Sequence, residues 1–213
     1  MPARVSEAFV LRSYPYQEAD LIVSLFTRDL GKLRGVAKRA RRLKSNFGSG
    51  LERLSQVRVS YYQKETLELV RLDNCELIQS QFGLVGSYAA SVALDYIAEV
   101  SDQLLPPSEP NERFYRLLAA VLAELRAAPD SSVWRVVLYF SFWSVRLSGF
   151  LPDLRVSFTS RELADEMIST AVNQLSTREW SKETAADLRR FLVRQIEQQT
   201  ERRLATAPML EAL

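Results

Sequence analysis

The chain has 213 residues, 47% of them hydrophobic, enough to bury a core and suited to one or two compact domains. No run of eighteen apolar residues occurs, and the opening MPARVSEAF has neither an apolar h-region nor a cleavage site, so a cytoplasmic protein without a membrane span is expected. Cys75 is the single cysteine and histidine is absent, which excludes an internal disulfide, the usual zinc ligand sets, and Ser-His-Asp or Cys-His nucleophile pairs.

The first eighty residues read as β. Ala8–Leu11 is a short apolar run ended by Tyr14-Pro15-Tyr16, and Leu21–Thr27 is rich in β-branched and aromatic residues, with Asp29-Leu30-Gly31 as a turn signal. A hairpin into Lys32–Ala37 follows. Strand alternation places Leu33, and then Val36 or Ala37, toward a core, with Lys32, Arg34 and Lys38 on the opposite face. Arg39–Gly50 is a connection, basic first and then Gly-rich. Val57–Tyr62 and Leu67–Leu72 are the fourth and fifth strand candidates, joined by a turn at Lys64-Glu65 and extended by Cys75–Ile78. Five short strands with a long connection after the third fit a small Greek-key barrel of the OB type, a frequent host for oligonucleotides. Periodicity alone describes another small β-barrel equally well.

From Gly83 the period becomes helical. One helix runs over Tyr88–Val100 and stops at Leu105-Pro106-Pro107. A second starts near Asn111, with Phe114, Leu117, Leu118, Val121, Leu122 and Leu125 inward, and a third spans Ser132–Ser148. The third is apolar on nearly every side, as expected at the centre of a bundle. Further helices are predicted at Ser160–Leu175 and Ser181–Arg203, the latter capped by Ser181 and Thr184, with Trp180 ahead of it as a staple. The tail after Leu204 is expected to fray. The division is an OB-fold nucleic-acid-binding domain over residues 1–80 and a helical domain over 81–213.

Charge is distributed unevenly. Through residue 64 the chain carries thirteen Lys or Arg against five acids, whereas the whole chain has 28 against 26 and a net charge of +2. Eight of those cations fall within Arg28–Lys44 beside one acid, Asp29. A local basic excess recruits polyanions by releasing their condensed counterions, while a solvated basic loop is the commoner outcome for a charge run. Lys32, Arg34 and Lys38 are the first candidates for phosphate contact, followed by Arg39, Arg41, Arg42 and Lys44 in the loop and by Arg12 and Arg28 at its flanks. For the aromatics near this segment core or loop-anchoring packing is the commoner role, and Phe47 and Tyr14 are the two candidates for base stacking. No GxxxxGK[ST] phosphate loop and no GxGxxG after a strand occurs, so hydrolase and NTPase readings lose their main support. Glu162, Asp165 and Glu166 sit at helical spacing and read as a solvated face. No enzyme activity, cofactor or metal is expected.

Taken in order, Glu7–Arg12, Glu18–Ile22, Leu25–Arg28 and Gly31–Lys38, then Ala40-Arg41-Arg42, Phe47, Leu51-Glu52 and Gly149–Leu154, closely resemble the RecO family of bacterial DNA repair proteins. The resemblance is dense over the first eighty residues. It is looser beyond, where it rests on Phe140–Phe150 and Arg202-Arg203-Leu204. It implies an N-terminal OB-fold followed by a helical region, and a recombination mediator without catalytic chemistry. Such a protein binds single- and double-stranded DNA, anneals complementary strands, binds RecR, and engages the C-terminal tail of the single-strand-binding protein so that RecA can load. For that acidic, Phe-ended tail the candidates are Arg135, Arg146 and Trp143 on the third helix and Arg116 on the second, since guanidinium groups suit carboxylates and an apolar pocket suits the terminal ring. One departure stands out. Many members of the family carry a four-cysteine zinc module soon after the Gly-Tyr-Leu-Pro-like motif, whereas here Leu154 is followed by Arg155-Val156-Ser157-Phe158-Thr159, so the zinc module is absent. A partner-binding adaptor whose basic patch meets an acidic protein is the competing class.

Overall fold

The computed structural model describes residues 3–63, 69–175 and 178–213. The turn expected at Lys64-Glu65 and the start of the fifth strand at Leu67 lie outside the described residues. The fold is α+β, with five strands first and helices after them.

The strands are β1 (Arg4–Tyr16), β2 (Asp20–Thr27), β3 (Gly31–Ala37), β4 (Gln56–Tyr62) and β5 (Val70–Gln79), closed into a barrel in the order β1-β2-β3-β5-β4. β3 and β5 are parallel and the other neighbours antiparallel, the OB arrangement. Alternation decides the core: Ala8, Val10, Val23, Leu25, Leu33, Ala37, Val57, Val59 and Leu72 point inward. Ala37, not Val36, is the inward residue after Leu33. β1 runs longer than its apolar segment suggests because Arg4–Ser6 pair with Val59–Tyr61 of β4. A bulge between Val10 and Arg12 then changes the phase of β1, so that Arg12 points outward although it is two residues from inward Val10.

Glycine matters at two points. At Gly35 a Cβ would come within 2.7 Å of Leu72 in the core, and Gly31, at φ +75°, would place one 2.1 Å from the Glu109 carbonyl oxygen. The second contact exposes a feature the sequence reading missed: Leu105–Tyr115, assigned there to the helical half, belongs to the compact unit of the barrel. Ser108 N–H donates to the Lys32 carbonyl at 2.9 Å, and the Phe114 and Tyr115 rings cover Phe26 and Phe9 on the outside of β1 and β2.

The second unit comprises residues 84–104 and 116–213. Its helices are α1 (Tyr88–Leu104), the greater part of α2 (Glu112–Ala127), α3 (Val133–Leu147), α4 (Phe158–Ser169), α5 (Ala186–Thr200) and α6 (Ala207–Glu211). α3 is the central one, with Val137, Leu138, Phe140, Phe142 and Val145 buried, and its Ser141 hydroxyl meets the fully buried Tyr96 hydroxyl of α1 at 2.8 Å. Three expectations need correction. The segment from Ser160 does not stay helical to Leu175, because α4 ends at Ser169 and a single 3-10 turn takes Val172–Gln174. α5 begins at Ala186, not at a Ser181 cap: Thr184 Oγ1 accepts from Ser181 N–H inside a separate turn, and left-handed Ala185 starts the helix. The tail is docked, not frayed. The Glu99 carboxylate accepts from the Ala205 and Thr206 N–H groups, both at 2.9 Å, and Leu204 and Leu210 are buried.

Candidate nucleic-acid interface

Residues opposite one another in neighbouring strands share a face, so the register sorts the outer surface of β1–β3 into rungs. Phe9, Phe26 and Lys32 form the first, Arg12, Ser24 and Arg34 the second, and Tyr14, Ile22 and Val36 the third, which β5 extends with Arg71. The 105–115 segment lies over the first rung. Lys32 is accordingly half-buried, while Arg12, Arg34 and Lys38 are exposed. The β3 cations Lys32 and Arg34 do share a face, with Lys32 at its covered end, whereas the strand stops at Ala37 and Lys38 stands exposed in the turn that follows. Arg34 Nη2 donates to the Tyr14 hydroxyl at 2.9 Å, and the Arg12 guanidinium lies 5.6 Å from the centre of the same ring. Tyr14 is thus held between two arginines on the open part of the face.

The basic loop is anchored at both ends. Arg39 N–H donates to Asp20 Oδ1 at 2.8 Å, Arg41 N–H to the Ala19 carbonyl at 3.0 Å, and Arg41 Nη1 to the Glu18 carbonyl at 3.3 Å, which binds the loop to the β1–β2 turn. At the far end Phe47 and Leu51 enter the barrel core. Phe47 is therefore a core anchor and not a stacking platform; the apolar barrel interior holds it more strongly than the glycines around it free it. Between these anchors Arg39, Arg41, Arg42 and Lys44 are exposed, with Leu43 fully exposed among them.

Arg28 belongs elsewhere. Its guanidinium donates from Nε and Nη2 to both carboxylate oxygens of Glu112 at 3.1 and 3.0 Å, approaches Glu7 at 3.9 Å and lies over the Tyr115 ring. The hydrogen bond to Glu112, with the charge of that carboxylate, raises its pKa further. Arg58 similarly reaches Glu7 and Glu76. One side of the barrel is thus a compensated ion-pair network. Among the described residues Arg12, Arg34, Lys38, Arg39, Arg41, Arg42 and Lys44 form no salt bridge. Two cations on the open side were missing from the sequence reading. Arg71 arrives through the parallel β3–β5 pairing, and Arg53 through the connection that pairs Leu54 N–H with the Val10 carbonyl at 2.7 Å. Neither pairing leaves a local sequence signal.

In the helical unit Arg116 and Arg146 are exposed and Trp143 is half-buried. Arg146 lies 5.6 Å from the Trp143 ring centre, and the indole N–H donates to the Met167 carbonyl at 3.1 Å. Arg135 is different. It pairs with Glu124 of α2, with both side chains mostly buried. Arg135 and Arg146, eleven residues apart on one helix, are separated along its axis by about 16 Å. The structure therefore joins Arg146 to Trp143 and leaves Arg135 at a distance in a pair of its own. Cys75 packs at the edge of the barrel core, where burial pushes its thiol pKa up to about 12, and among the described residues no group of three or more Cys, Asp or Glu side chains is placed to hold a metal ion.

A closed OB barrel with a bare basic face, continued by a helical unit, defines the class to which this molecule belongs. Residues 1–81 match the model of the recombination protein O N-terminal domain, and residues 86–166 match that of its C-terminal domain. The chain is 39% identical to a DNA repair protein RecO of Koribacter versatilis over 98% of each chain. It is 35% identical to the RecO of Thermodesulfovibrio yellowstonii over 70% of this chain and 59% of that one, and 42% identical to that of Bifidobacterium animalis subsp. lactis over 67% and 62%. The chain belongs to the RecO family of DNA repair proteins. The Koribacter alignment runs over 242 positions, more than the 213 residues here, so that relative has segments with no counterpart in this chain.

Proposed function

We propose that this protein is a recombination mediator that binds single- and double-stranded DNA along the open face of its barrel and anneals complementary strands. With RecR, it helps load RecA onto DNA coated by the single-strand-binding protein. The carrying observation is the uncompensated set formed by Arg12, Arg34 and Lys38 with the loop cations Arg39, Arg41, Arg42 and Lys44. Cations left without carboxylates on one surface favour a phosphate backbone, and with no recognition helix among them the binding has little sequence preference. Tyr14 is the aromatic side chain suited to stack a base there, an interaction worth about 1–3 kcal/mol per base. The mechanism needs no bond-making step by the protein: neutralising two backbones at once lowers the repulsion between complementary strands.

The helical unit supplies the partner surface in this reading. Arg146 beside Trp143 offers a guanidinium and an aromatic wall to an acidic, Phe-ended peptide, and Arg116 adds a second exposed cation. Arg135 contributes less, being paired with Glu124. Annealing of complementary oligonucleotides coated with single-strand-binding protein tests both halves together. Acceleration by the wild type, lost when the loop cations are replaced, supports the proposal; equal rates with and without protein refute it. An adaptor for an acidic protein would leave annealing unchanged and bind its partner with a shallower salt dependence.

A further inference from the structure

The bulge in β1 opens a cleft of about 350 Å³ lined by Arg12, Ser13, Tyr14 and Arg53. Arg53 reaches it because backbone hydrogen bonds join Val10 to Leu54 and Ser55, bringing the chain after the basic loop alongside the bulge. Two guanidinium groups therefore face one small polar cleft. Desolvation by burial, and then the charge of Arg12, push the Arg53 pKa below its ordinary value, as expected where two like charges are held close. Such a pair is stabilised by an anion that accepts hydrogen bonds from both forks, which a tetrahedral phosphate does in a way that a single lysine contact does not. The cleft is also continuous with the open face, since Arg12 and Tyr14 line it and at the same time belong to the rungs that carry Arg34 and Val36.

We propose that the Arg12–Arg53 cleft is a phosphate subsite for the backbone of single-stranded DNA, with Arg53 as a DNA contact outside the basic segment of residues 28–44. The inference rests on the DNA-binding reading above and adds direction to it. A strand held there leaves the cleft past Tyr14, crosses the Arg34 rung and continues to the loop cations. The cleft fixes one phosphate with two arginines, whereas the loop offers single exposed charges.

The test is the salt dependence of oligothymidylate binding by wild type, Arg53→Gln and Arg58→Gln. Arg58 is the control because its charge already meets Glu7 and Glu76. Losing one phosphate contact makes the log–log slope for single strands shallower by about 0.7, so Arg53→Gln should show that change and Arg58→Gln the wild-type slope. An Arg53→Gln slope equal to that of the wild type, or an equal loss in Arg58→Gln, overturns the subsite while leaving DNA binding in place. A wild type without salt-dependent binding removes both readings. A measurement on the unmodified protein guards against a variant that folds poorly: the Arg53 Nε–H resonance should move when oligothymidylate is added. A resonance that stays fixed, or that responds to polyglutamate but not to the oligonucleotide, overturns the proposal.

Discussion

Arginines in the two units are used differently. In the helical unit several meet carboxylates: Arg135 with Glu124, Arg178 with Glu166, and Arg189, almost fully buried, with Glu211 while its guanidinium lies 4.7 Å from the Trp134 ring centre. These pairs join elements, and the last helps dock α6 against α5. On the open face of the barrel Arg12 and Arg34 stand on either side of Ser24, with a tyrosine between them and no carboxylate. The barrel shows the same contrast within itself, because Arg28 and Arg58 are neutralised by Glu7, Glu76 and Glu112. A basic residue is thus a guide to ligand binding only once the fold has shown which carboxylates it supplies.

The largest expected effect breaks this contrast at its open end. Replacing Arg34, Lys38, Arg41 and Arg42 by Ala should make the single-strand salt slope shallower by about 3 and weaken binding by orders of magnitude, with an unchanged unfolding transition. Fluorescence anisotropy of labelled oligothymidylate across a salt series, alongside thermal melts, measures both. Arg135→Ala should do the opposite. Leaving Glu124 mostly buried without its partner costs about 2–3 kcal/mol of stability, visible as a lower denaturant midpoint, while DNA affinity stays at the wild-type value. Glu99→Ala removes the acceptor for the Ala205 and Thr206 N–H groups, with an expected cost of about 1–2 kcal/mol and faster proteolysis after Leu204.

A smaller effect depends on pH. Burial alone would raise the Asp187 pKa, but hydrogen bonds from the Ser157 N–H and the Ser160 and Ser157 hydroxyls hold it down, from 3.8 to about 2. A folded pKa below the unfolded one stabilises the protein above pH 4, and that contribution is lost as pH falls from about 4 toward 2. Acid titration of unfolding should therefore show a shallower loss of stability over that window in Asp187→Asn. The smallest effects belong to the compensated side: Arg28→Ala should leave the salt slope unchanged, and Lys32→Ala should lower it less than Arg34→Ala.

Much of this was legible in the sequence wherever the signal is local. Period-two runs located β2, β3 and β4, alternation placed Lys32 and Arg34 on one face, and Pro106-Pro107 ended the first helix close to its observed end at Leu104, but the strand stops at Ala37, before alternation can place Lys38. What escaped depends on contacts distant in sequence. The cover over Lys32 comes from residues more than seventy positions away, and the phase of Arg12 depends on a bulge that no composition signal marks. Arg53 and Arg71 join the face through pairings across the barrel. Phe47 shows the complementary error. Its glycine-rich neighbours mark a connection and left the ring as a stacking candidate, yet an apolar ring beside an open barrel end is more stable inside it. The tail misled for the same reason, since the Glu99 carboxylate that caps it lies over a hundred residues upstream.

The central claim is that the uncompensated cations of the barrel bind the phosphate backbone. Its most direct test is the affinity of the wild-type protein for a single-stranded oligothymidylate, measured from low to physiological salt. If about five cations meet phosphates, log affinity falls linearly with log salt at a slope near −3 to −4. A flat slope, or one left unchanged by removing Arg34, Lys38, Arg41 and Arg42, would contradict it.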